Sequence, residues 1–590
     1  PPPPTPLGFV GGTLTGTVQL NGGFLTVSNG ATFNSGTGPI TINKTGNLLI
    51  NGGTFNANGH LVVDGGTVDV AAVAGSQFNL ANGKNFTAQN SAYVHLGSSA
   101  SVPFQSLFII QSGSRLVCDA GLNLGGGLLI DGTGTFLGIG ASSSWGSDTQ
   151  NLIAQFSNNA TASIAGTLTL APSPSAKNAN VSVQNGAQLY IQSLRMAPNG
   201  SGTNSTLSVF QASITIVDNL VVGAPAGGSA AIYIDQNSTF NTFGPVTIDH
   251  TGTVLLISNF TALEAIDLFG TLTIGFNNGN TGNFVGFRPI NLASGGNLVF
   301  NRSNAMTINT AIQGAGGTLS QIGTGTTTLA GAYSATGRIQ IAAGNLTFAP
   351  TNAPRQTSAI LLTTDSLNIA NNSVMDITNH DLMITNNNAS SSNYIINSLW
   401  KNGTAALLGT GNPAGPQITS STATNNTTSF PTFIVAFDID HIFGTGGISD
   451  GSGVGVDYGA YTDHQIITQP GTIMIKYGYY ADIDFSGKVD AGDINLILGT
   501  LGQTTPGMTD PGLSYLLGDV DYSGKVDAGD INLVLGMLGA GSGGVKGNPL
   551  GDLDPVLASI SDASPVPEPS TACLWALPVL QLLWRKRNKP

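Results

Sequence analysis

Charge is the scarcest commodity in this chain. Only 8% of its 590 residues are Asp, Glu, Lys or Arg, and glutamate is reduced to Glu264 and Glu568. Soluble helices are normally built with Ala, Leu, Glu and Lys, so a mostly helical fold is excluded. Cysteine is almost absent too. Cys118 and Cys573 lie far apart, which excludes a disulfide framework without fixing the redox compartment. The net charge of −13 argues against nucleic acid or an anionic membrane surface as partner. The opening "PPPPTPLGF" has neither Met nor an apolar run behind basic residues, so no signal peptide is expected within this chain.

What remains is 81 Gly, 28 Pro and an abundance of Asn, Thr and Ser, with 41% apolar residues, enough to build a core. This is a vocabulary of strands and turns. From residue 10 the text is nearly metrical: "TVQLNGG", "FLTVSNG", "ITINKTG", "NLLINGG", "HLVVDGG", "TVDV". Val18 and Leu20, Leu25 and Val27, Ile40 and Ile42, and Val68 and Val70 are spaced by two, so each pair shares one strand face. The Asn-Gly, Asp-Gly and Gly-Gly steps supply the positive φ that tight corners require. Hairpins or a string of sandwiches would use these steps to reverse direction. A parallel β-solenoid would use them as corners, stacking coils around one core and Asn and Thr side chains into ladders. The uninterrupted run of units favours the solenoid.

The expected fold is therefore mainly β. A Pro-rich segment (1–9) leads into a long parallel β-solenoid (10–354), followed by a β cap or small β domain (355–480). A small α module with two calcium loops (481–542), a linker (543–565) and a C-terminal tail (566–590) complete the chain.

Catalytic candidates are thin. Asp438, Asp440 and His441 in "FDIDHIFG", the pair Asp463 and His464, and the pair His380 and Asp381 read more simply as turn-forming or loop residues than as acid–base or metal sites. No Ser-His-Asp motif, zinc spacing or phosphate-binding loop emerges, and no catalytic residue is assigned.

The acids concentrate instead near the end. Residues 471–565 carry 12 acids against 4 bases. There "DIDFSGKVDAGD" (482–493) and "DVDYSGKVDAGD" (519–530) repeat at an offset of 37 residues. A twelve-residue calcium loop takes oxygen ligands from positions 1, 3, 5, 7, 9 and 12 and bends at a Gly in position 6. Copy one offers Asp482, Asp484, Ser486, the Lys488 carbonyl, Asp490 and Asp493, with Gly487 at the bend. Copy two offers Asp519, Asp521, Ser523, the Lys525 carbonyl, Asp527 and Asp530, with Gly524. Val489 and Val526 at position 8 are placed to pin each loop to its partner. "INLILGTLG" and "INLVLGMLG" follow as short helices, with Ile494, Ile497, Leu498 and Leu501 on one side of the first. Carboxylates so crowded repel one another unless a cation sits among them.

Three resemblances refine this reading. Residues 316–348, through Gly325, Thr328, Leu329, Gly331, Tyr333, Ser334, Gly337, Ile339, Ile341, Gly344 and Leu346, resemble one copy of the autotransporter-associated β-strand repeat. That implies an exported passenger-like β-helix. The duplicated loop-plus-helix resembles the dockerin type I module, which implies two Ca²⁺ ions. Ala491-Gly492 and Ala528-Gly529 stand where cohesin-contacting pairs are usual, so calcium carries over and a cohesin-like partner does not. The tail "VPEPS", then an apolar stretch, then Arg585, Lys586 and Arg587, resembles the PEP-CTERM sorting signal, its motif being Val566, Pro567, Glu568 and Pro569. The resemblance implies processing by an exosortase, only transient membrane contact through the tail, and a destination at the cell surface or in the matrix of a Gram-negative bacterium.

The expected role is non-catalytic, in adhesion, biofilm or scaffold formation, with an extracellular polysaccharide or a surface protein as partner. The alternatives are a β-helix enzyme degrading polysaccharide and a self-assembling surface-filament subunit.

Overall fold

The computed structural model describes residues 7–541, apart from 10–11, 14, 98–99, 103–105, 147, 149, 174, 199–203, 226–227, 277–283, 352–360, 386–415, 425–431, 439–472, 485–486 and 508–510. Strands of mostly three to six residues succeed one another from Leu7 to Ile384, and every recorded pairing among them is parallel. One face is a 16-stranded parallel sheet that begins at Val18–Leu20 and ends at Ser366–Ile369. In-register partners on this face follow one another by 18 residues (Val254↔Leu272) to 28 residues (Ile339↔Leu367). Each coil adds two further strands, as Ile40–Asn43, Gly46–Asn51 and Thr54–Ala57 do in one of the first. This is a parallel β-solenoid, as the metrical text predicts.

The corners explain why the chain advances instead of reversing. Asn29 and Gly30 have φ of 53° and 75°, and Asn185 and Gly186 have 53° and 78°. Two consecutive left-handed residues turn the strand toward the next face, and the following residue resumes the extended path. Over coils 161–222 two faces merge into long strands, Thr161–Leu170, Gln188–Met196 and Ser213–Val222, with register shifts between Ile164 and Thr167 and between Ile191 and Ser193.

Alternation fills the inside. Ile40, Ile42, Leu48, Ile50, Val68 and Val70 are buried, while the residues between them face outward. Val18 and Leu20 are only half-buried because they sit in the outermost strand of their sheet. Identical residues in register stack on themselves. Phe33 and Phe55 lie parallel with ring centroids 5.0 Å apart, and Phe240 and Phe260 at 5.2 Å. On the outside the Asn56 amide donates to Asn34 Oδ1 at 2.6 Å and the Asn79 amide to Asn56 Oδ1 at 2.8 Å, a ladder of the kind expected.

Residues 316–348 fold into five strands of successive coils, from Thr318–Gln321 to Asn345–Phe348. A Cβ at Gly337 would overlap the Gly317 carbonyl, and one at Gly331 the Thr310 carbonyl. These glycines permit one coil to lie directly on the backbone of the one before it.

The chain divides into two compact units, and the strand Ile473–Tyr479 belongs to the first through Tyr477. At that end the parallel order breaks. Ile473–Tyr479 pairs antiparallel with Asp381–Ile384 through Leu382↔Ile475, in a four-stranded sheet with Leu361–Thr364 and Thr432–Asp438. The second unit, described from Gly478 to Gly541, holds the helices Ala491–Thr500, Pro511–Leu516 and Ala528–Gly536. Among the described residues no helix is long and apolar enough to cross a membrane.

Candidate functional site

The duplicated acidic segments fold as two loop–helix units with the same hydrogen-bond pattern. Gly487 and Gly524, the sixth residue of each loop, have φ of 83° and 89°, the left-handed bend that position demands. Their amides donate back to the first residue of the loop, Gly487 N to Asp482 Oδ2 at 2.9 Å and Gly524 N to Asp519 Oδ2 at 3.1 Å. The last acid of each loop organises the rest. Asp493 Oδ1 accepts from the amides of Ile483 (2.6 Å) and Asp484 (3.3 Å), and its Oδ2 from Asp490 N (2.8 Å). Asp530 repeats this with Val520, Asp521 and Asp527 at 2.6, 3.1 and 2.9 Å.

Positions 1, 3 and 12 converge. Asp482, Asp484 and Asp493 bring one carboxylate oxygen each within 4.8 Å of one another, and so do Asp519, Asp521 and Asp530. A calcium ion with oxygens at about 2.3–2.6 Å spans such a set. Asp482, Asp493, Asp519 and Asp530 are fully buried. Burial, reinforced by the charge of Asp484 against hydrogen bonds that oppose it, pushes Asp493 up to about 7. Burial likewise raises Asp519 and Asp530. A hard, anionic, all-oxygen donor set whose charges are costly to bury fits a divalent cation such as Ca²⁺.

The remaining sequence-predicted ligands are placed differently. Asp490 and Asp527 cap the helices, accepting from Gly492 N and Gly529 N within capping boxes closed by Asp493 and Asp530. Their oxygens are not in the convergent triads. Ser523 Oγ donates to the Lys525 carbonyl at 3.1 Å, and Ser486 lies outside the described residues. The backbone places Lys488 beside Gly487 as position 7 requires.

The two loops are interlocked, though not loop to loop as position 8 suggests. Val489 N donates to Ala540 O at 3.0 Å and Val489 O accepts from Gly539 N at 2.9 Å. Val526 N donates to Gln503 O at 2.9 Å and Val526 O accepts from Gly502 N at 2.8 Å. Each loop is thus tied to the chain that leaves the other helix, with the same 37-residue offset throughout (539 − 502 and 526 − 489). Val489, Val526, Ile497, Val534 and Tyr515 are fully buried between them. Ile494 is buried as expected, whereas Leu498 and Leu501 are half-exposed.

The other candidates separate. His380 is buried, its Nδ1 3.1 Å from Ile377 O and 3.2 Å from Thr378 Oγ1, and burial lowers its pKa. Its neighbour Asp381 faces elsewhere, accepting from Lys476 Nζ at 2.6 Å and from Tyr477 N at 2.9 Å. Asp438 ends the strand Thr432–Asp438. Asp440, His441, Asp463 and His464 lie outside the described residues, as does the tail with Val566, Pro567, Glu568, Pro569, Arg585, Lys586 and Arg587.

One cluster on the solenoid escapes sequence reasoning. His95 is held between Asp69 Oδ1 (2.8 Å, Nδ1) and Asp119 Oδ2 (3.0 Å, Nε2), 26 and 24 residues away. Only the coil length brings these three together, and coil length varies along the chain. Burial opposes the imidazolium, but hydrogen bonds to Asp69 and Asp119 and their charges outweigh it and raise the His95 pKa. With the folded value above the unfolded one, the clamp stabilises fully below about pH 6.5 and its contribution is lost as pH rises through the folded value. Asp69 and Asp119 side chains are 44% and 50% exposed, which limits the effect to about 1 kcal/mol or less. NMR titration of the His95 ring is expected to give a midpoint above that of an exposed histidine, falling in Asp69→Asn and Asp119→Asn. An unchanged midpoint in both variants would refute the clamp.

Comparison of the chain with protein-family models, curated proteins and solved structures finds no match.

Proposed function

We propose that this chain is an exported, non-catalytic β-solenoid protein of the cell surface or extracellular matrix, carrying a dockerin-like module that folds around two Ca²⁺ ions. The observation that carries the calcium reading is the pair of carboxylate triads, each with two members fully buried, repeated with one hydrogen-bond pattern. Millimolar extracellular calcium suits sites of modest affinity. The tail's resemblance to an exosortase signal and the passenger-like repeat support the surface destination. The four-stranded sheet at the end of the solenoid serves as its cap, since an antiparallel strand ends the stacking of parallel coils. The burial of His380 and the engagement of Asp381 with Lys476 support a structural role for the candidate pair that the structure describes.

Calorimetric titration of the full chain with Ca²⁺ is expected to give two ions per chain, falling to one in Asp482→Ala and in Asp519→Ala. No heat up to millimolar Ca²⁺ would sink the proposal.

A further inference from the structure

One outward face of the solenoid carries aromatic rings at a regular interval. Tyr93, Arg115 and Phe136 are in-register neighbours on three successive coils. Two coils beyond Phe136, through Thr161, comes Gln188, with Tyr190 two residues along the same strand. Tyr93 and Phe136 therefore lie two coils apart, at about 9.6 Å for two strand spacings of about 4.8 Å, and Tyr190 lies two coils further, displaced by two residues along the strand. The rings of Phe136 and Tyr190 each lean toward the column of the other. A Cβ at Gly138 would meet Phe136 Cε1 at 2.8 Å, so the absence of one lets the phenyl ring lie toward the row of Tyr190. The Tyr190 hydroxyl reaches back and donates to Gln188 Oε1 at 3.1 Å. Tyr93 and Tyr190 are 42% and 43% exposed.

Polar groups fixed in place surround these rings. The Arg115 guanidinium sits 5.0 Å from the Phe136 ring centroid, which orients its donors. His95, on the same strand as Tyr93, is clamped between Asp69 and Asp119. The patch thus offers carboxylate acceptors, guanidinium donors and flat rings, with both ring nitrogens of His95 already committed to Asp69 and Asp119 and the positive charge of Arg115 set among the acids. Ring faces stack on the C–H faces of sugars, and paired acceptors and donors take their hydroxyls. The mixed charge favours a neutral polymer over a polyanion. In an extended β-1,4-linked chain every second sugar presents the same face, and the two-coil interval is close to that disaccharide repeat.

We propose that the face bearing Tyr93, Arg115, Phe136 and Tyr190 binds a neutral, extended β-1,4-linked polysaccharide lying along the solenoid axis. This rests on the surface-protein reading for the place where such a polymer is met, but binding by the purified chain is measured independently of location and of calcium stoichiometry. The full chain is expected to sediment with microcrystalline cellulose. Tyr93→Ala combined with Tyr190→Ala should weaken retention about tenfold or more, while Tyr→Phe at both positions, which keeps the rings, should retain it. Phe287→Ala, at a ring 66% exposed on a distant coil, should have no effect. The proposal is overturned if the wild-type chain stays in solution or the double alanine variant binds as well as wild type. It is equally overturned if Phe287→Ala weakens binding to the same extent, or if retention occurs only on a polyuronate or a β-1,3-glucan. If binding holds while cell fractionation finds the protein inside the cell, the surface reading fails and the binding face stands.

Discussion

Stripping divalent cations from the full chain with a chelator is expected to unfold the unit around residues 479–541 at a temperature where the solenoid's β signal is unchanged. Each loop buries two carboxylates completely and holds a third against them. Without a cation that arrangement is opposed by desolvation and like-charge repulsion, and with one it is favoured. An ion present at about 1,000 times its Kd contributes roughly 4 kcal/mol to the folded state. The reciprocal bonds of Val489 with Gly539 and Ala540, and of Val526 with Gly502 and Gln503, make each loop depend on the other. Loss of one ion is therefore expected to loosen both halves. Asp482→Asn separates charge from geometry, because its amide oxygen can still accept from Gly487 N while the buried charge is removed. In excess Ca²⁺ this variant should be less stable than wild type by several kcal/mol. In chelator it should equal or exceed wild type. Thermal melts followed by helix circular dichroism check both signs, and a melt of residues 479–541 indifferent to chelator would refute the account.

The solenoid was legible because its coils repeat a local pattern. Pairs such as Ile40 and Ile42 declare the inner face, and Asn29-Gly30 and Asn185-Gly186 declare corners through a conformation few other residues adopt. The acidic loops were legible for the same reason, since twelve consecutive residues carry the whole spacing of the convergent carboxylates. Side-chain oxygens were harder to assign. Asp490 and Asp527 fit the ligand spacing equally well as helix caps, and both uses lie within one turn of chain. What sequence could not show was any contact set by coil length. The Asp69–His95–Asp119 clamp and the grouping of Tyr93, Phe136 and Tyr190 on one face depend on coil offsets that range from 18 to 28 residues on the neighbouring face. Periodicity within a strand says nothing about such offsets. The position 8 valines show a subtler limit. Their burial was foreseeable from their apolar character, but their partners lie beyond the opposite helix, where no loop motif reaches.

The same distance in sequence conceals the second large effect. Lys476 and Asp381 are 95 residues apart, and Nζ and Oδ2 meet at 2.6 Å with side chains 1% and 0% exposed. Lys476→Ala, or Asp381→Ala, is expected to cost about 3–5 kcal/mol, because each leaves an opposite charge buried in a low-dielectric interior. Asp381→Ala also deprives the Tyr477 amide of its acceptor, so it should be the worse of the two. The double variant Asp381→Leu with Lys476→Met should recover the part of the loss due to a lone buried charge, leaving only the cost of the missing Tyr477–Asp381 bond. In a stacked solenoid each coil contacts mainly its neighbours, so the damage should remain local. Hydrogen exchange should quicken in Asp381–Ile384 and Ile473–Tyr479 while Ile40–Asn43 keeps its protection. A single variant that loses less than about 1 kcal/mol would mean that water reaches the pair in solution and that the antiparallel strand is held by Ile473, Met474 and Ile475 alone. The double variant decides between these accounts, since recovery on removing both charges is expected only if the pair is dry.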